Sequence, residues 1–248
     1  MDKEKYISIL RHTHNICWSR LSRNPYIIEL LEENLDKVDW DLLSSNPAAI
    51  HILEANPEKI DWQYLGVNPA AIHILETNPE KIDWFSLSEN PAAIHILEAN
   101  PEKIDWSLLC LNPGAIELIE KNIDKIDWPL LSENPAAIHL LEANLERIDW
   151  TSFSLNPALE TIEILRKNPK NIHWNSLNEN PAAIPLLEAN PDKIRWDNLS
   201  LNPNALHILE QNLDKICWDW FCIGNTDYLR YKYWLDNIKP ACNEYILK

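Results

Sequence analysis

The sequence predicts an all-α fold, a right-handed-type α-solenoid of stacked short helical pairs capped at both ends. Three observations predict it. Tryptophan stands at 18, 40, 62, 84, 106, 128, 150, 174, 196 and 218, in steps of 22 residues except one of 24 between Trp150 and Trp174. Asn-Pro pairs keep the same step, beginning at Asn24, Asn46, Asn68, Asn90, Asn112, Asn134, Asn156, Asn180 and Asn202. Val38 and Val67 are the only valines, which disfavours a strand in every unit. A repeat this short cannot bury its own apolar face, so stacking on its neighbours has to make the core.

Residues 46–67 serve as the type unit. Proline disfavours α geometry in the residue before it, and an N-cap needs that extended geometry, so Asn46 caps a helix. Pro47 fits the first helical position, where a missing N–H leaves nothing unpaired. On the helix "PAAIHILEA", Ala49, Ile50 and Leu53 share one face, His51 and Glu54 turn away, and Ile52 lies at the margin. Asn56 before Pro57 stops it. After the turn "NPEKI", Asp61 caps a shorter second helix, "WQYLGV", with Trp62 and Leu65 three apart on one side. Its shortness permits either α or 3-10 geometry.

Nine such units fill residues 24–223. The whole chain, 1–248, is expected to form one repeat domain. Residues 1–23 make an N-terminal cap with a partial unit, and 224–248 a closing helical cap that keeps Tyr228, Leu229, Trp234 and Leu235.

Composition bounds the function. With 22 Lys+Arg against 38 Asp+Glu, the net charge of -16 repels a phosphate backbone, so nucleic acid is not an expected partner. No apolar run approaches the eighteen or so residues of a membrane span, so no membrane partner is expected either. The charged start "MDKEKYISILRHTHN" lacks a secretory signal, and five irregularly spaced cysteines make a poor disulfide framework, which together imply an intracellular protein. Cys217 and Cys222 form the one close pair and read as structural thiols.

The combined Asn-Pro, Ile-x-x-Leu and Ile-Asp-Trp signature resembles the tandem repeat proteins of giant nucleocytoplasmic DNA viruses, whose units read "NPxAIxLLExNPxxIDWxxLSxN". The resemblance covers residues 16–223. It implies a viral protein of host cytoplasm or virion, built for contacts, and carries over no functional residue.

Several rows of repeated residues carry candidate chemistry. His51, His73, His95, His139 and His207 share one slot. Adjacent rungs about 8–10 Å apart cannot share a metal at about 2 Å, so a solvated face with a local His51–Glu54 pair is expected. Asp39, Asp61, Asp83, Asp105, Asp127 and Asp149 precede tryptophan and read as helix caps, since one carboxylate per unit cannot supply the six to eight oxygens calcium wants. Cys17, His173, Arg195 and Cys217 replace them elsewhere. The Asn46, Asn68 and Asn90 row reads as a ladder, each side chain capping its own helix or bonding the neighbouring unit. The tryptophans are expected in the core, with an exposed aromatic strip as the other reading. No Gly-rich phosphate loop, G-x-S-x-G or H-E-x-x-H stretch is present, so the chain is expected to be no enzyme and to need no cofactor or metal.

The pattern breaks once. Two extra residues lie between Asn156 and Asn168, about 200° of helical rotation, which calls for a kink or bulge. Pro185 follows at the fifth helical position, where it should disturb the first turn. Arg166, Lys167, Lys170, His173 and Arg195, with Lys193, cluster here. They read equally as a contact for an acidic partner or another copy, or as drift in a tolerant repeat. The functional expectation is a protein-protein interaction or assembly scaffold, tuned by Asp41, Gln63, Phe85, Ser107 and Asp197. A virion component and an accessory enzyme subunit are the alternatives, and self-association is the second kind of contact considered.

Overall fold

The structure is a computed structural model that describes residues 18–217. The N-terminal cap up to residue 17, the closing segment 224–248 and Cys222 lie outside the described residues. The chain divides into two compact units, Met1–Asp127 and Trp128–Lys248. Each is a stack of the same rung. Among the described residues every element is an α-helix or a 3-10 turn, as an all-α solenoid requires.

One rung of the first unit shows how the sequence makes its parts. Asn46 is extended, and its side-chain oxygen accepts from the Ala48 N–H. The chain then makes a 3-10 turn, Pro47–Ala49, before entering the α-helix Ile50–Ala55. At the other end Asn56 donates its side-chain amide to the Ile52 carbonyl, one of the orphan acceptors of a helix terminus, at 2.8 Å. A second 3-10 turn, Pro57–Lys59, replaces the simple turn expected, and Asp61 caps the α-helix Trp62–Gly66. The second helix is α in the described rungs, which resolves that choice.

The opening 3-10 turn corrects the expected face. It advances 120° per residue against 100° in an α-helix, so three residues shift the phase by about 60°. Ile52 is therefore buried beside Ala49 and Leu53, while Ile50 is only half-buried. The core of each rung is built on the positions of Ala49 and Leu53, joined by Ile52 and Ile74 but only partly by Ile96, and on the leucine three residues after tryptophan, Leu43, Leu65, Leu87 and Leu109 in the first unit. In the second unit Leu131, Phe153, Leu177 and Leu199 hold that position.

The tryptophans do not belong to this core. Trp40, Trp62, Trp84 and Trp106 are half-buried, as are Trp128, Trp150, Trp174 and Trp196. On four of these rings a cation from the following rung covers the face instead. Lys81 stands 4.8 Å from the Trp62 centroid, Lys125 4.2 Å from Trp106, Arg147 5.1 Å from Trp128 and Lys215 4.5 Å from Trp196. An indole at the first turn of a short helix lies at the margin of the stack, where a lysine stem and ammonium seal its face more easily than a second apolar layer.

The two-residue insertion is absorbed locally. Ala158 is extended, the opening 3-10 turn is lost, and a nine-residue helix runs Leu159–Lys167. Asn156 and Asn168 keep their usual bonds at either end, so the extra length appears as a bulge that leaves Leu159 76% exposed. Pro185 does not disturb its helix. The α segment Ile184–Glu188 begins only after the 3-10 turn Pro181–Ala183, so the proline falls in a first turn that tolerates it.

Candidate functional site

Two buried ladders and two surface rows organise each rung. The Asn ladder does both things expected of it at once. In the first unit Asn90 accepts from the Ala92 N–H through its oxygen and donates to the carbonyls of Gly66, at 2.8 Å, and Asn68, at 3.0 Å. Asn68 and Asn112 repeat this, and in the second unit so do Asn156, Asn180 and Asn202. Each amide therefore closes its own turn and fastens the neighbouring rung.

A serine ladder runs beside it that sequence reasoning missed. Ser44 donates to the Trp40 carbonyl at 2.8 Å and accepts the backbone N–H of Asp61, one rung on, at 3.0 Å. Ser22 and Ser88 in the first unit, and Ser132, Ser154 and Ser200 in the second, do the same. The signal was present, a serine two residues before each of these Asn-Pro pairs. Gly66 replaces it once, and the Ser86 side chain fills the space a Cβ would take there. Cys110 replaces it with a thiol that donates to the Trp106 carbonyl at 3.1 Å, and burial pushes that thiol up to about 11.

The aspartate row is a row of caps. Asp39, Asp61, Asp83, Asp105 and Asp149 each accept from the backbone N–H three residues on. His173 serves the same role through Nδ1, which faces both the Ser176 N–H and its hydroxyl. Arg195 supplies no side-chain cap.

The histidine row is solvated, but its partner is not the one expected. His73 bonds Glu54 of the preceding rung at 2.8 Å, not the Glu76 of its own helix. His51–Glu32 at 2.6 Å, His95–Glu76 at 2.9 Å and His207–Glu188 at 2.8 Å repeat it. Both partners are about half exposed in each pair, so these are surface straps between rungs. Among the described residues no group of three His, Cys, Asp or Glu side chains could hold a metal.

One half-buried carboxyl lacks its companion. Glu133 accepts from Ser152, and Glu179 from Asn198, each across a rung junction. In the same register, nineteen residues on from Glu89, the chain carries Leu108, which has no side-chain polar group to donate. Burial, and then the negative charge of Asp105, hold the Glu89 carboxyl above its ordinary value of 4.5.

The basic residues singled out from the sequence occupy one edge of the insertion rung and its neighbour. Arg166 and Lys167 end the helix Leu159–Lys167, and Lys170 lies in the 3-10 turn Pro169–Asn171. In register they reverse an acidic edge. Arg166 stands where other rungs carry Glu54, Glu76 and Glu142, and Lys170 where they carry Glu58, Glu80 and Glu146. Arg166 pairs with Glu163 at 3.0 Å, and Lys193 with Asp192 at 3.0 Å, which holds the Asp192 carboxyl below its ordinary value. Lys167, Lys170 and Arg195 make no ion pair among the described residues. Arg195 is separated from the others by its place at an open depression with Asn175, Ile194, Trp196, Asp197 and Asn198.

The residues directly after tryptophan are the most varied and all face solvent. In the first unit these are Ser19, Asp41, Gln63, Phe85 and Ser107, and in the second Pro129, Thr151, Asn175 and Asp197. No helix among the described residues is long and apolar enough to cross a membrane. Comparisons with protein-family models, with curated proteins and with solved structures each return no match.

Proposed function

We propose that the protein is a non-catalytic scaffold that holds a protein partner along the face formed by the residues after tryptophan. The observation that supports this reading is a division of labour within the rung. The Asn slot is the same in every rung from Asn24 to Asn202, and the Ser and Asp slots, whose polar groups are bonded within and between rungs, keep one residue type in most rungs. The position after tryptophan, exposed in every described rung, runs through acid, amide, aromatic, hydroxyl and proline. A fixed frame that presents a changing row is how repeat scaffolds acquire specificity, since each rung contributes one contact to an extended surface. The resemblance to viral repeat proteins supports a scaffold that acts inside a host cell.

The test replaces Asp41, Gln63, Phe85, Ser107 and Asp197 together by alanine and compares the proteins that the variant and the unmodified chain retain from the producing cell. Loss of specific partners with an unchanged melting temperature supports the reading. Retention of the same partners overturns it.

A further inference from the structure

We infer that the open depression at the junction of the rungs carrying Trp174 and Trp196 docks a peptide segment bearing a single carboxylate. The inference deepens the scaffold reading and rests on it. The depression is open to solvent and is lined by Asn175, Ile194, Arg195, Trp196, Asp197 and Asn198.

Its chemistry follows from one departure from the repeat and the amides beside it. In the slot of Arg195 other rungs place Asp61, Asp83, Asp105 or Asp149, whose carboxylates are spent on their own helix. A guanidinium has donors only and cannot take that role, so Arg195 is left exposed and without an ion pair among the described residues. Its planar fork matches a carboxylate bidentately. Beside it Asn175, in the varied slot after tryptophan, is exposed and has its side chain unbonded among the described residues. Asn198 gives one amide hydrogen to Glu179 and keeps its oxygen as an acceptor.

The depression thus offers a cation, an amide and an amide oxygen around the apolar surface of Ile194 and Trp196. A peptide supplies the complement: a carboxylate for Arg195, a carbonyl for Asn175 and an N–H for the Asn198 oxygen. One carboxylate fits and a run of them does not. Asp197 shares the lining, and a chain of net charge -16 repels a polyanion. A segment with one Asp or Glu among apolar residues is the partner this chemistry recognises.

The probe is a fluorescein-labelled, C-terminally amidated Ala-Leu-Glu-Leu-Ala peptide, titrated with the full chain at low salt and followed by anisotropy, beside its glutamine counterpart. The glutamate peptide should bind about tenfold more tightly than the glutamine peptide. Arg195→Asp restores the residue that caps the other rungs, so the variant keeps its fold, and it should bring glutamate binding down to the glutamine level. Asn175→Asp should weaken the glutamate peptide about threefold or more by adding a like charge. Arg166→Glu with Lys167→Glu should change it by less than Arg195→Asp does, because neither residue lines the depression. Equal binding of the two peptides, no binding of either, or undiminished binding by Arg195→Asp overturns the site. Partners captured by the unmodified chain that survive Arg195→Asp would overturn the depression while leaving the scaffold reading intact, whereas a chain that captures no partner would overturn the scaffold reading itself.

Discussion

The side-chain amide of Asn90 donates to the main-chain carbonyl of Asn68 at 3.0 Å, so the residue that starts one rung is bonded to the residue that starts the rung before. Asn90 is fully buried, and its amide also serves the Gly66 carbonyl. Removing it strands two buried acceptors as well as a cap. Asn90→Ala should destabilise the chain by about 2–4 kcal/mol, measured by urea unfolding. Asn100→Ala, which removes one bond from a half-buried side chain to the Ile96 carbonyl, should cost only about 1 kcal/mol. Equal losses at the two sites would contradict the ladder.

The insertion rung places Thr161 in the register of Ala49, fully buried, with a hydroxyl that has no hydrogen-bond partner. Thr161→Val keeps the shape and replaces that hydroxyl by a methyl group. It should stabilise the chain by about 1–2 kcal/mol. Destabilisation in the same unfolding measurement would show that the hydroxyl is bonded in solution.

Glu89 gives a pH dependence with a definite sign. Its folded-state value is raised, so the protonated form contributes stability that is fully present below the ordinary value of 4.5 and lost as pH rises through the folded value. Glu89→Gln should therefore melt higher than the unmodified chain at pH 7, and the gap should close as pH falls below 4.5. The group is partly solvated, so the gap should be a few tenths of a kcal/mol. Leu108→Asn, which copies the Glu179–Asn198 pair, should recover a similar amount at neutral pH.

Lys125 lies 4.2 Å from the Trp106 ring centroid, across a rung junction of the first unit. Lys125→Ala should cost about 0.5–1 kcal/mol and Lys125→Arg should be close to neutral. If alanine and arginine melt alike, the cation contributes nothing to the stack.

The parts of this fold that were legible in the sequence are those set by local chemistry. Asn before Pro and Asp before Trp announce caps because the bonds they make lie within three residues. What depends on the neighbouring rung was read less well. Tryptophan looked like core because its size and spacing suit one, yet Lys81 and Lys125 reach back from the next rung to cover rings that stay half-buried. Glu54 lies three residues from His51 along the chain, but stacking brings it to His73. Ile52 was placed at the margin because an α-helix was assumed from Pro47, and the 3-10 turn rotates it inward. Of the candidate basic cluster, the sequence showed the residues but not their partition. Arg166 and Lys193 are paired, His173 is a cap, and Arg195 alone meets a depression.

The scaffold account stands or falls on which face a partner covers. Hydrogen exchange of the full chain, with and without a captured partner, reads that directly. Protection should rise in the second helices, at peptides containing Asp41, Gln63, Phe85 and Ser107, and stay unchanged in the helices bearing His51, His73 and His95. Protection confined to the histidine-bearing helices would contradict the account.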